Sequence, residues 1–418
     1  MLVSLPYGHT QLTGHVPKCA TTSIVIPKLW QTASQEKSVE DALRQPIGIP
    51  RLRELARESR SAVIVTCDRT RGVPSRVTIP LILKELRSGG MDLDRIIVLV
   101  ATGLHKGETM TDVTERLGTE LVGKLEVIIH DSDDRTRLVE LGRLSSGTPL
   151  WLNRSVTESD LVIVESNVEP HFFAGFTGGS KVILPGVAGT ETILRNHSWK
   201  NIDNSASQYG VTENPIRADA NETLRHLGRA FALNIVLDSQ KRIVHVTAGD
   251  PISSFNAVAE SVRQHSSVQV KDSPDVVITT NGGYPLDRNV YQCVKGITVP
   301  ERILHGDSRI VMASECMDGV GHPDFLRLLA SNTPEVVYDK LRVGEALIRD
   351  QWEVQVLCRI LRKIPVCFVT RPELASEIRS MHMDYAQTIE QALDSVNLRR
   401  GEKVLVLPQG PMTLPILG

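Results

Sequence analysis

The chain has 418 residues, with 47 lysines and arginines against 49 aspartates and glutamates, a formal charge of −2. That length accommodates two domains with full-sized cores, and the near balance of charge gives no electrostatic reason to expect a nucleic acid or a membrane surface as partner. Six scattered cysteines without a CxxC pair argue against a structural zinc site or a disulfide framework and suit a reducing cytosol. No apolar run approaches the roughly 20 residues of a spanning helix, and the N-terminus lacks the charged-then-apolar pattern of a leader. The expectation is a soluble cytoplasmic protein.

Residues 1–35 read as strand-like and turn-rich, with Tyr7-Gly8 early and a second extended run at 23–27. The charged stretch 36–57 has helical character, broken at Pro46 and Pro50. From there short β-branched runs at 62–66, 95–100, 125–130, 161–165, 234–238 and 243–247 are separated by helical stretches such as 109–117 and 215–227. A polar interruption at 264–274 breaks the series. Beyond it, strands are predicted at 275–280, 309–313, 365–369 and 403–407, and helices at 333–341, 344–362 and 388–398. Short apolar runs alternating with helices imply a mainly parallel sheet covered on both faces. The expected fold class is therefore α/β, with two α/β domains (1–268 and 269–418), largely parallel sheets and an active site in the cleft between them. The proline-bearing last 10–20 residues are free to return to the first domain.

Ligands of open α/β sheets bind beyond the carboxyl ends of the strands. Several predicted strands end in reactive sequence: Asp68-Arg69-Thr70-Arg71, Thr102-Gly103-Leu104-His105, the long segment 165–200, Tyr291-Gln292-Cys293-Val294-Lys295 a little beyond another, and the loop 314–319. Segment 165–200 is glycine-studded and carries His171, Lys181 and His197; a long ordered loop of this kind tends to be functional. Asp68–Arg71 reads either as a helix cap or as an anion-holding turn whose N–H groups and guanidinium suit a carboxylate or phosphate. His105 and His171 are, singly, ordinary half-buried histidines; facing one cleft they suit paired acid/base work near neutral pH. The run ending in Ser180-Lys181 fails the GxxxxGK[ST] order, so nucleoside-triphosphate chemistry is not expected. Gly178 and Gly179 still permit close backbone approach to a bulky ligand, with Lys181 at its edge. His197 follows a predicted helix at 189–196 without HExxH or HxH, so a metal there needs most of its ligands from elsewhere, such as a chelating cofactor. Arg71 and Lys295, surface charges if taken alone, make a clamp for a small carboxylate if both face the cleft.

Together these residues resemble the lactate racemase family, the nickel-pincer-nucleotide enzymes. The matching pieces are DRTR (68–71), TGLH (102–105), EPHFFAGFTGGSK (169–181), PGVAGTETI (185–193), NH (196–197) and YQCVK (291–295), in the family's order. Tyr7-Gly8 and Asn214-Pro215 are similar too. Each motif alone is weak, whereas the ordered set is specific. The resemblance implies an isomerase, a racemase or epimerase of a small 2-hydroxycarboxylate. Its cofactor would be nickel held in a pyridinium bisthiocarboxylic acid mononucleotide by sulfur, carbon and sulfur donors, with one histidine completing a square plane. By matching motif, His197 would be that ligand, Lys181 the lysine joined to the cofactor by a thioamide, and His105 and His171 the acid/base pair. Arg71 and Lys295 would bind the substrate carboxylate beside Tyr291 and Gln292, and Asp68 and Thr70 would line the cofactor pocket. The implied reaction removes the C2 hydrogen as hydride, passes through a planar 2-keto acid and returns the hydride to the other face. Cofactor-making proteins would be needed for activation. Gly72 departs from the pattern, because the family often has proline after that arginine. Substrates in the family range over lactate, malate, aromatic hydroxy acids and sugar acids, with a side-chain pocket including Trp352 and residues 314–319 expected to choose.

Two rival readings use the same residues. One is a zinc-dependent hydrolase or isomerase with His105, His171 and His197 as three metal ligands. The other is a non-catalytic carboxylate-binding module that keeps Arg71 and Lys295.

Overall fold

The computed structural model describes residues 1–31, 34–105, 107–344 and 348–418. Two six-stranded sheets carry the molecule. In spatial order the first holds Ile243–Gly249, Arg229–Leu237, Leu161–Asn167, Ala62–Cys67, Ile96–Ala101 and Glu126–Ile129. All its neighbours run parallel except the Ile243–Gly249 edge strand, which is antiparallel to Arg229–Leu237. The central strands Ala62–Cys67 and Leu161–Asn167 are buried along their whole length, as expected of strands covered on both faces. The second sheet, parallel throughout, runs Asp384–Ala386, Val366–Val369, Arg309–Ala313, Val276–Thr280, Lys403–Leu407 and Thr21–Ile24. The protein is thus α/β with largely parallel sheets.

The last of those strands joins residues from both expected domains, 1–268 and 269–418, in one sheet. Thr21–Ile24 pairs with Lys403–Val406 of the second sheet. The hairpin of Leu2–Tyr7 and Thr10–His15 places Val3 and Leu5 in one core with Val276, Ile278 and Val311. Pairing across most of the chain length leaves no local periodicity from which to read it. The interruption at 264–274 also differs from expectation. The helix Pro251–Ser266 runs into it, followed by the strand Ser267–Val270, which pairs in parallel with the tail strand Leu414–Leu417.

Other elements differ at their edges. The stretch 36–57 forms two helices, Gln35–Arg44 and Leu52–Arg57, with both prolines between them. The helix expected at 344–362 occupies Gln351–Leu361, and residues 345–347 of that expectation lie outside the described residues. The strand expected at 234–238 begins earlier, at Arg229. Among the described residues no helix is long and apolar enough to cross a membrane.

One core belongs to the first sheet alone. The main core of the second domain contains Phe172, Phe173, Leu194, Ile202, Tyr209 and Ile216 from the first. The segment after Leu161–Asn167 is therefore packed into the neighbouring domain, and the candidate site forms where the two meet.

Candidate active site

Glu165, at the head of the organising segment, is fully buried and accepts hydrogen bonds from the hydroxyls of Thr66, Ser75 and Thr78. Its carboxyl is satisfied within the scaffold. Six residues on, His171 lies in a short antiparallel pairing of Pro170–His171 with Gly175–Phe176. Gly175 has φ 75°, and a Cβ there would stand 1.9 Å from the Val211 carbonyl oxygen, so only glycine fits the turn. His171 Nδ1 accepts the backbone N–H groups of Phe173 (3.4 Å) and Ala174 (3.3 Å), which leaves the ring proton on Nε2. Burial, and then the charges of Lys181, Arg71 and Lys295, push its pKa well below the usual histidine range.

Lys181 sits on the single turn Gly179–Val182, buried, with Nζ 5.4 Å from the centre of the Phe173 ring. Burial, followed by the charges of Arg217, Arg71 and Lys295, pushes its amine well below the ordinary lysine range. Gly178 and Gly179 answer a different need from the one expected. Both have positive φ (71° and 58°), and added Cβ atoms would meet Asn167 O and Ser166 Oγ at 2.8 Å and Phe255 at 2.6 Å. The close approach they allow is of the protein to itself, and the turn that results aims Lys181. Arg217 fixes the same turn: its guanidinium donates to the carbonyls of Gly178 (3.3 Å) and Phe176 (2.5 Å) and stacks 3.9 Å from the Phe255 ring centre.

His197 closes the helix Thr190–Asn196. Its Nδ1 donates to the Ile193 carbonyl at 3.2 Å, so Nε2 presents a lone pair, and its ring lies 5.1 Å from Phe173 and 5.1 Å from Trp352 of the second domain. Burial and the charge of Lys181 lower its pKa well below the usual value, against the opposing pull of the Ile193 carbonyl.

On the neighbouring strand ends, His105 Nδ1 lies 2.6 Å from Asp68 Oδ2, while Thr70 donates to Asp68 Oδ1 from its amide (3.1 Å) and its hydroxyl (2.5 Å). Burial alone would raise the Asp68 carboxyl; His105, the Thr70 hydroxyl and Arg71 overcome that and bring it down to about 2. His105 keeps an open outer face, with its side chain 49% exposed. Gly72 has φ 62°, a conformation closed to proline, so the turn after Arg71 follows its own path.

From the second domain, the helix Val290–Thr298 brings Tyr291, Gln292 and Lys295. Lys295 Nζ donates to Gln292 Oε1 at 2.6 Å, and Tyr291 donates its hydroxyl to Asp350 Oδ1 at 2.9 Å. Arg71 joins the groups: its charge acts on Asp68, His171, Lys181 and Lys295. His105 comes into the set through Asp68, and His197 through Phe173 and Trp352.

Comparison with known proteins matches a model described as the lactate racemase N-terminal domain over residues 7–210, and one described as the lactate racemase C-terminal domain over 269–413. The chain belongs to the lactate racemase family. Lactate racemase of Thermoanaerobacterium thermosaccharolyticum is 37% identical over 98% of this chain and 97% of its own. Lactate racemase of Lactiplantibacillus plantarum is 38% identical over 90% of each. The solved apoprotein structure of the Thermoanaerobacterium thermosaccharolyticum enzyme superimposes with a TM-score of 0.95 at 36% identity, over the whole of both chains. A Thermotoga maritima protein, 17% identical with a TM-score of 0.69 over 93% of this chain and 100% of its own, shares the fold. The protein is an isomerase, a racemase.

For this lactate racemase relative, the donor set bears on the implied metal. Among the described residues no group of three or more His, Cys, Asp or Glu side chains is arranged to hold an ion, which leaves the three-histidine zinc reading without a site. His197 offers one free nitrogen in an otherwise aromatic setting. That suits a metal whose remaining ligands come from a chelating organic group. Sequence reasoning missed Glu169, Arg217 and Glu353 as site residues. Glu169 Oε1 stands 3.7 Å from Arg71 Nη1, and it lay in plain view beside His171 within a matched motif. Glu353 carried a fainter signal, an acid next to Trp352 in the apolar helix Gln351–Leu361.

Proposed function

We propose that this racemase interconverts the enantiomers of lactate, acting at C2 with a nickel-pincer nucleotide held by His197 and Lys181. The observation that carries the reading is the arrangement of two differently prepared histidines beside Arg71. His105, with Nδ1 on the Asp68 carboxylate, presents its Nε2 lone pair; His171, with Nδ1 on two amides, presents an Nε2–H. Activity named for the two relatives at 37% and 38% identity supports the choice of substrate.

Arg71 and Lys295 hold the substrate carboxylate and fix which face of C2 is presented. His105 takes the hydroxyl proton of one enantiomer, and Asp68 stabilises the imidazolium that forms. His171 donates its Nε2–H as a hydrogen bond to the substrate oxygen. Once it carries a second proton as an imidazolium, it returns one proton to that oxygen as the other enantiomer forms and is left neutral; the roles exchange in the reverse direction. A C2–H bond is too weakly acidic for an imidazole to break directly, and the cofactor, when bound, supplies the hydride acceptor and donor that this step needs. The low pKa of the Lys181 amine leaves it nucleophilic and fit for covalent attachment to that cofactor. Loading depends on cofactor-making enzymes.

The test uses protein co-produced with those enzymes. L-lactate and D-lactate should each reach the racemic mixture by chiral chromatography, with C2 free of solvent deuterium in the first turnovers. Replacing His105 or His171 by alanine should slow both directions by one common factor, about 100-fold or more. Deuterium entering C2 at the rate of racemisation, or full activity in either variant, would refute the reading.

A further inference from the structure

The helix Val290–Thr298 carries Tyr291 and Lys295 four positions apart, and so on one face. A contact that fixes the roll of this helix at its first turn therefore also aims Lys295. The Tyr291 ring meets Phe325 edge-on at 5.4 Å, and its hydroxyl donates to Asp350 Oδ1 at 2.9 Å. Asp350 belongs to a different element, as the residue that opens the helix Gln351–Leu361.

Asp350 does not open its helix in the ordinary way. An aspartate in that place normally has extended backbone and accepts N–H groups of the first turn. Asp250 does so ahead of Pro251–Ser266, with φ −53° and ψ 130°, its carboxylate accepting from Ile252 (3.2 Å) and Ser253 (2.8 Å). Asp350 instead has φ 64° and ψ 6°, left-handed, and its side chain takes no hydrogen bond from its own helix. A residue with a Cβ persists in that conformation only where its surroundings over-determine it. Here Arg349 Nη2 reaches both oxygens of Asp133, at 2.8 and 2.6 Å, and Gln351 Oε1 accepts the Ile348 N–H at 3.0 Å. His322 Nδ1, 3.9 Å from the other Asp350 oxygen, accepts the Asp324 N–H at 3.3 Å and so has no proton to give Asp350. The left-handed turn carries the carboxylate away from its helix and on to Tyr291. The strain serves the tyrosine.

We infer that Asp350 is a positioning residue for the substrate clamp: by holding the Tyr291 hydroxyl it sets the roll of the helix Val290–Thr298 and the direction of Lys295. The turn at Asp350 also starts the helix that brings Trp352 to His197, with 5.1 Å between ring centres. One carboxylate thus ties the helix that meets the substrate to the helix that walls His197. This rests on the clamp reading given under the proposed function.

The test uses cofactor-loaded protein and initial rates of L-lactate racemisation followed by chiral chromatography. Glycine adopts φ 64° without strain, so Asp350→Gly removes the carboxylate while sparing the turn. KM should rise about tenfold while kcat changes by less than about threefold, and the cofactor-free Tm should move by under about 3 °C. Asparagine also tolerates the left-handed region and offers Oδ1 to the hydroxyl. Asp350→Asn should therefore bring KM back to within about threefold of wild type. Tyr291→Phe should raise KM by a similar factor to Asp350→Gly, and adding Asp350→Gly to it should change KM by less than about twofold. The inference is overturned by an unchanged KM in Asp350→Gly, by an equal loss in Asp350→Asn, or by a full effect of Asp350→Gly on top of Tyr291→Phe. Should Asp350→Gly fail to fold, Tyr291→Phe decides, because it leaves the turn untouched; unchanged KM there overturns the inference too. Lys295→Met separates the two claims. Unchanged KM in that variant, or no racemisation by wild type, removes the clamp reading and the inference with it. A raised KM there beside any of the overturning results removes the inference alone.

Discussion

Asp68 shows how a single side chain here serves both stability and chemistry. Its pKa, near 2 against an ordinary 3.8, lies below the unfolded value. The resulting stabilisation, on the order of 2 kcal/mol, is fully present above the ordinary value and is lost as pH falls through the folded one. Asp68→Asn should therefore lower the urea midpoint at neutral pH, with the gap to wild type closing as pH falls from 3.8 to about 2. An amide in that place also releases the tautomer of His105, so kcat should drop by about 10²–10⁴-fold. Unaltered kcat would mean that His105 needs no orienting partner. The pairing was half legible in the sequence, since DRTR and TGLH each stood at a strand end. What could not be read is which atom meets which, because the contact spans 37 positions. Glu353 was harder still: a buried acid on a helix looks like a surface acid until the neighbouring domain is in place.

At the scale of elements, legibility followed local physics. The strands Arg309–Ala313 and Lys403–Leu407 fall where their apolar runs predicted. Arg229–Leu237 was found only in its second half, because its opening Arg-Ala-Phe-Ala lacks a β-branched signal. The helix Val290–Thr298 was read only as a motif, yet its seating decides where Lys295 points. Gly296 is the seat: a Cβ there would lie 2.7 Å from the Thr280 carbonyl oxygen and 2.9 Å from the Met312 side chain. Gly296→Ala should shift the helix off the strand end and destabilise the protein by about 1–3 kcal/mol. With Lys295 and Gln292 displaced, KM should rise more than kcat falls. Gly306 has nothing within 4 Å of its would-be Cβ, so Gly306→Ala is the control and should change stability by under about 0.5 kcal/mol. Equal unfolding midpoints for the two variants would disprove the packing account.

For the molecule as a whole, the site depends on the domains being packed as one. Phe172, Phe173 and Tyr209 of the first half lie in the core of the second, and the Tyr209 hydroxyl donates to the Lys295 carbonyl at 2.9 Å. None of this was visible from periodicity, which reports a buried face without naming what buries it. Trp352 is the most exacting case, because its ring meets His197 at 5.1 Å across the junction. His197→Ala and Trp352→Ala should therefore fail in different ways. A cofactor that binds only the native state raises the unfolding temperature by mass action. On the ligation proposed above, His197→Ala should abolish nickel retention and with it the difference in Tm between loaded and cofactor-free protein, while the cofactor-free Tm falls by less than in Trp352→Ala. Loss of the indole in Trp352→Ala leaves the nitrogen in place but opens a buried cavity, at a cost of about 3–5 kcal/mol. Its cofactor-free Tm should fall, and nickel should load yet leave faster under a chelator, because the imidazole has lost the wall that holds its ring. Identical nickel release from Trp352→Ala and wild type, measured by metal analysis over time, would show that the second domain does not steady the ligand. The role of the domain junction would then be confined to Lys295 and the substrate.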